Sequence, residues 1–192
     1  MAEVKVIVEG FINADCRAKG LPEKTRTTST LVTDGELKIL ADPGIYDDPA
    51  VLIDALKAEG LTPDKITHIF LTHSHIDHYY SVALFPKAKV LEFYALWQGA
   101  EDMDRPNSLS PDISLIESPG HSINSLTMLV DTPSGKVAIA GDVWWKENYP
   151  DNDPYADDMQ QLLKTRVTVL KLADYIIPGH GKMFKSGRQG IK

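Results

Sequence analysis

Cysteine is almost missing from this 192-residue chain: Cys16 is the only one. No internal disulfide can form, a cysteine-built zinc site is excluded, and the chain suits a reducing compartment. Arg17, Lys19 and Lys24 are near Cys16, but no paired motif surrounds it, so it reads as a bystander thiol. Basic charge is also scarce. Lys and Arg number 20 against 27 Asp and Glu, a formal net charge of -7, which argues against a broad nucleic-acid footprint. No apolar run approaches the length of a membrane span. The opening Met-Ala-Glu-Val-Lys-Val lacks the basic region and apolar core of a signal peptide. No membrane partner and a cytoplasmic location are the resulting expectations. With no fixed-period repeat and no internal linker, residues 1–192 are expected to form one domain.

What is present suits a layered fold. Apolar residues make up 43% and charged residues 24%, enough for a sizeable core. Val4 to Val8 reads as a strand. Thr27 to Thr33 and Leu37 to Ala41 flank the hairpin signal Asp34-Gly35. Pro49 to Glu59 reads as a helix, capped by Asp48 and ended by Gly60. Ile66 to Leu71, Lys89 to Phe93, Ile113 to Glu117, Leu126 to Asp131, Lys136 to Ala140 and Tyr175 to Ile177 read as further strands. Asp77 to Leu84 could begin a short helix. Pro154 to Ala173 is the clearest helix, with Asp153 as its cap and Met159, Leu162, Leu163, Val167 and Leu170 on one face. Interleaved strands and helices predict an α/β or α+β domain.

The chemistry concentrates in Thr-His-Ser-His-Ile-Asp-His, residues 72 to 78. His73, His75, Asp77 and His78 are four potential ligands within six positions, directly after an apolar strand-like run. His121 follows Ser-Pro-Gly, Asp142 follows Ala-Gly, and His180 sits in Pro-Gly-His-Gly. Each follows a strand-like segment in a small-residue loop, where glycine lets the backbone turn sharply and approach a ligand. Seven nitrogen and oxygen donors in equivalent contexts point to one shared metal-binding rim. His68, inside a strand, reads as a strand or supporting residue. Thr72 and Ser74 are expected to bond within the ligand loop.

The order His-x-His-x-Asp-His, lone His, Gly-Asp, Gly-His resembles the metallo-β-lactamase superfamily over nearly the whole chain. Leu84-Phe85-Pro86, Gly141-Asp142-Val143 and Pro178-Gly179-His180-Gly181 with Phe184 are also similar to the short metallo-β-lactamase domain-containing protein 1 type. The resemblance implies a four-layer αββα sandwich with metals at the edge where the strand loops converge. It implies that His73, His75 and His121 hold one metal, that Asp77, His78 and His180 hold the second, and that Asp142 bridges them. It places Asp42 behind a ligand histidine as an orienting group. The implied cofactors are two divalent ions, with zinc suiting the donors best and manganese or iron fitting the same set.

The implied function is metal-dependent hydrolysis. A hydroxide shared by two cations attacks a carbonyl or phosphoryl centre, and Asp77 is the candidate proton carrier. Expected substrates are a phosphodiester, as in single-stranded RNA or a nucleotide, or a small ester or lactone. Other expectations are weaker: a mononuclear iron enzyme that oxidises sulfur, or a thioester hydrolase. Only 12 residues follow His180, which argues against the helical region of the glutathione thioesterases. Only 37 residues separate Asp142 from His180, which leaves no room for the inserted domain of large RNA-processing members. A homodimer is left open. Two loops are expected to shape the pocket: residues 13 to 26, with four basic side chains, and 144 to 155, with Trp144, Trp145, Tyr149 and Tyr155 among acids. Lys182, Lys185, Arg188 and Lys192 form a basic tail.

Overall fold

The hairpin signal at Asp34-Gly35 seeds the larger sheet in the computed structural model. That model describes residues 1–13, 16 and 19–187; Arg17, Arg188 and Lys192, named above, lie outside the described residues. Strands β4 (Ser29–Asp34) and β5 (Leu37–Ala41) pair antiparallel with Asp34 opposite Leu37. The turn is therefore Gly35-Glu36, one residue later than the dipeptide suggested, and Gly35 takes φ 54°. β1 (Glu3–Val8) pairs with β4, while β6 (His68–Phe70) and β7 (Lys89–Leu91) continue the sheet in parallel beyond β5. β8 (Ala95–Gln98) and β9 (Glu101–Asp104) complete it in the order β1-β4-β5-β6-β7-β8-β9. The sequence did not announce these last two. β9 is Glu-Asp-Met-Asp, exposed throughout, and its charge suits a sheet edge that must not recruit another strand.

The second sheet runs β10 (Ser108–Ser110), β11 (Ile113–Glu117), β12 (Leu126–Thr132), β13 (Gly135–Gly141), β14 (Tyr175–Pro178) and β15 (Phe184–Lys185), in chain order. A two-stranded ribbon, β2 (Phe11–Ile12) with β3 (Thr25–Arg26), stands apart. The two sheets meet through a core that joins Val32, Ile39, Phe70 and Leu91 to Ile113, Met128, Val130 and Ile139. Helix α1 (Ala50–Ala58) buries Leu52 and Leu56 against Leu31, Leu40 and Ile69 on the outer side of the first sheet. The Ala50 amide donates to Asp48 Oδ1 at 2.8 Å, and Gly60 closes the helix at φ 72°. Helix α2 (Ile76–Tyr79) is a single turn within the ligand motif. Helix α3 (Met159–Leu172) packs Leu162 and Val169 against Leu129, Ala138 and Ile176 on the outer side of the second sheet. The layers are thus helix, sheet, sheet, helix.

Helix α3 corrects two expectations. It starts at Met159, with Asp158 as its cap accepting from the Gln161 amide at 2.9 Å. Asp153 does not cap it, because Asp153 is held elsewhere by a histidine. The inward face is Leu162, Thr165, Arg166 and Val169, while Leu163 and Val167 are about half exposed. Polar anchors rotate the helix away from the purely apolar stripe. Thr165 Oγ1 donates to the Pro119 carbonyl at 2.6 Å, and Arg166 Nε to the Val143 carbonyl at 2.8 Å.

Candidate metal centre

Four strand ends deliver the seven donors to one edge. The 73–78 segment follows β6, His121 follows β11, Asp142 follows β13 and His180 follows β14. The Leu126 amide donates to the Thr72 carbonyl at 2.7 Å and ties the first loop to the second sheet. Two glycines make the approach possible. A Cβ on Gly179 would collide with Asp142 Oδ1, and one on Gly141, which holds φ 53°, with Thr72 Oγ1. Both positions tolerate no side chain where the backbones meet.

The donors fall into two groups: His73, His75, His121 and Asp142 in one, Asp77, His78 and His180 in the other. In the first, His73 Nε2 and His121 Nε2 each lie 3.0 Å from His75 Nδ1. Asp142 stands between the groups. Its Oδ2 is 3.4 Å from His121 Nε2, and its Oδ1 is 3.3 Å from both His78 Nε2 and His180 Nε2. Asp77 Oδ2 is 3.7 Å from His180 Nε2. His75 is exposed and Asp77 half-buried, whereas the other five are buried.

The partners behind the histidines fix which nitrogen faces the centre. His121 Nδ1 is 2.7 Å from Asp153 Oδ2, His78 Nδ1 is 2.8 Å from Asp42 Oδ2, and His180 Nδ1 is 3.0 Å from the Arg26 carbonyl. Carboxylates and carbonyls only accept, so each of these rings carries a proton on Nδ1 and turns Nε2 inward. Thr72 Oγ1 gives its proton to Asp42 Oδ2 at 2.7 Å and accepts from His73 Nδ1 at 3.1 Å, with the same outcome. Thr25 Oγ1 donates to Asp77 Oδ2 at 3.0 Å. Thr27 Oγ1 lies 3.1 Å from His78 Nδ1 and donates to the Gly179 carbonyl at 3.0 Å. Such outer partners are what holds metal-ligating histidines in place.

Cations fit this arrangement. A single proton on His75 Nδ1 can satisfy His73 Nε2 or His121 Nε2 but not both, whereas a cation among the three satisfies all. His78 Nε2 and Asp142 Oδ1 are buried, close to each other, and without an aligned hydrogen-bond partner, a costly state for polar atoms unless something else binds them. Nitrogens held about 2.0–2.1 Å from a tetrahedral zinc would stand roughly 3.3 Å apart, close to the spacings above.

Electrostatics divides the two groups. Burial pushes the His73 imidazole well below its usual range, with His78 and His121 adding repulsion, and burial with His121 lowers His75. Burial acts the same way on His78, but Asp42 and Asp142 outweigh it and hold that imidazole well above its usual range. Asp142 likewise raises His180 against its burial. Burial would raise the Asp142 carboxyl, but His180, His78 and His121 keep it well below.

A cavity of about 810 Å³ opens onto the centre, where His75, Asp77, His121, Asp142 and His180 line it. Both loops expected to shape it do so, through Glu23, Lys24, Thr25 and Arg26 and through Trp145 and Tyr155. Trp144 instead packs edge-on against Phe184 in the core. Of the acids in and just after this loop, Asp157 accepts from the Ile123 amide, Asp158 caps α3, and Asp153 reaches the centre. His68 stays in β6 against Thr67. Sequence reasoning missed Thr25, Thr27 and the true role of Asp153. No spacing signals them, since each meets its histidine across 32 to 155 residues.

Comparison with known proteins gives a consistent result. Residues 23–95 match the metallo-beta-lactamase superfamily model. Metallo-beta-lactamase domain-containing protein 1 of Xenopus laevis is 32% identical over 172 residues, covering 84% of this chain and 74% of the relative. Among solved structures, a Bacillus thuringiensis AiiA mutant with N-decanoyl-L-homoserine bound at its active site aligns with a TM-score of 0.68 at 16% identity, covering 93% and 92% of the two chains. AidC, a dizinc quorum-quenching lactonase, aligns with a TM-score of 0.66 at 16% identity, covering 87% and 79%.

Proposed function

We propose, because the chain belongs to the metallo-beta-lactamase superfamily, that it is a dinuclear metal-dependent hydrolase of small esters, lactones or phosphodiesters. One observation carries this reading: Asp142 presents one oxygen to each of two donor groups, with Oδ1 toward His78 and His180 and Oδ2 toward His121. That is the geometry a bridging carboxylate needs. His73, His75 and His121 would hold one ion and Asp77, His78 and His180 the other, with zinc the favoured metal. When bound, two divalent cations supply Lewis acidity that makes water nucleophilic near neutral pH and stabilises charge growing on oxygen.

The chain's own residues do the rest. Asp42, Asp153, Thr72 and the Arg26 carbonyl keep the ligand rings from turning. Asp77 Oδ2 accepts from the Thr25 hydroxyl. Its Oδ1 would take the proton from the attacking water and return it to the leaving oxygen. A cavity of about 810 Å³ suits a small molecule. AidC is described as a lactonase in complex with a product, and the AiiA mutant holds N-decanoyl-L-homoserine at its active site, which supports an ester or lactone carbonyl as the target.

The test is a panel of a lactone, a simple aryl ester, a thioester, an aryl phosphodiester and single-stranded RNA, run with wild type and His75→Ala. Hydrolysis of at least one substrate, reduced at least about a hundredfold in the variant, is expected. Turnover unchanged in His75→Ala would refute the mechanism.

A further inference from the structure

Nine buried side-chain polar atoms lack a hydrogen-bond partner among the described residues, and four belong to residues lining this one cavity: Glu23 Oε1, Arg26 Nε, Asp142 Oδ1 and Trp145 Nε1. The metal reading accounts for Asp142. Of the other three, Arg26 is the only cation. Its guanidinium is held in place, with Nη2 donating to the Glu9 carbonyl at 2.9 Å and Cζ lying 5.1 Å from the Phe11 ring centroid. No carboxylate pairs with it among the described residues, although Glu23, Asp47, Asp48, Asp77 and Asp142 share the cavity. Glu23 is bonded by the Tyr155 hydroxyl, Asp48 by the Ala50 amide and Asp77 by Thr25. A half-buried guanidinium that is held in place and lacks a carboxylate partner is free to pair with an anion.

Its position is tied to the centre. The Arg26 carbonyl accepts from His180 Nδ1, and the preceding Thr25 bonds Asp77. The backbone that carries the guanidinium is therefore fixed relative to the donor cluster. We propose that Arg26 receives an anionic group of the substrate, a carboxylate or a phosphate, away from the bond that is cut. The surrounding carboxylates leave no general positive field, and Lys24, the other basic side chain of the lining, is exposed, so recognition falls on the fixed guanidinium. The word substrate rests on the hydrolase reading above; the anion site itself does not.

The test therefore measures binding rather than turnover. Isothermal titration of the metal-loaded protein compares glutarate with butyrate and 3-phosphonopropionate with propionate. Within each pair one carboxylate is common, and only the dianion can also reach Arg26. Wild type is expected to prefer at least one dianion by about tenfold. Arg26→Met brings that ratio to about one, and Arg26→Lys keeps an intermediate preference. An effect in the glutarate pair identifies a carboxylate at Arg26, and an effect confined to the phosphonate pair identifies a phosphoryl group. A preference that survives Arg26→Met, equal affinities within both pairs, or no binding of either dianion up to the millimolar range would overturn the proposal. A side chain that serves only structure would weaken both members of a pair together and leave the ratio intact, which also overturns it. If the Arg26-dependent ratio holds while no ester in the panel is hydrolysed, the hydrolase reading fails and the anion site stands.

Discussion

At His78 two carboxylates outweigh burial, and at His73 nothing does. This contrast has a measurable consequence. Metal ions compete with protons for ring nitrogens. In the metal-free chain His78 and His180 retain a proton on each ring's Nε2 below their raised pKa values, so metal affinity of the Asp77, His78, His180 group climbs as pH rises. His73 and His75 are lowered, so those two rings are already deprotonated at neutral pH and change little there. Dialysis from pH 8 to pH 6 is expected to strip the second group first, giving a stepwise loss of metal per chain. Simultaneous loss from both groups would contradict this. Asp153 supplies a second test. Its carboxylate holds the His121 ring proton at 2.7 Å, so Asp153→Ala is expected to weaken metal at the first group by about 10- to 100-fold. Competition with a chromophoric chelator reads this out; unchanged affinity would remove Asp153 from the centre.

At the scale of elements, α3 separates what the sequence could say from what only packing decides. A helix was legible from its periodicity, but its start and its buried face were not. Asp153 resembled a cap because nothing in the chain order says that His121 claims it. Leu163 and Val167 resembled core residues because hydropathy ignores that Thr165 and Arg166 have main-chain acceptors on the inner side. The observed face predicts that Leu162→Ala costs about 2–5 kcal/mol in denaturant unfolding, while Leu163→Ala stays within about 0.5 kcal/mol. Equal costs would mean that the helix is rotated as the apolar stripe suggested. Strands β8 and β9 were invisible for a related reason. An edge strand made of Glu101, Asp102, Met103 and Asp104 carries no apolar alternation, and backbone pairing with Ala95 to Gln98 alone defines it.

For the whole molecule, the layered architecture and the seven donors were legible because both are local patterns. Strand runs alternate with helical runs, and each donor follows a strand in a small-residue loop. The supporting ring of Asp153, Thr25, Thr27 and the Arg26 carbonyl was not legible, because it exists only once two sheets and a ribbon meet at one edge. The residues that match the family model, 23–95, include four of the seven candidate donors that meet at that edge. Asp142 is expected to join the two donor groups into one two-metal centre. Metal analysis by mass spectrometry of protein loaded with excess zinc and then gel-filtered tests it most directly. Two zinc ions per chain are expected in wild type and fewer than two in Asp142→Ala. One ion per chain in wild type, or two retained in Asp142→Ala, would contradict it.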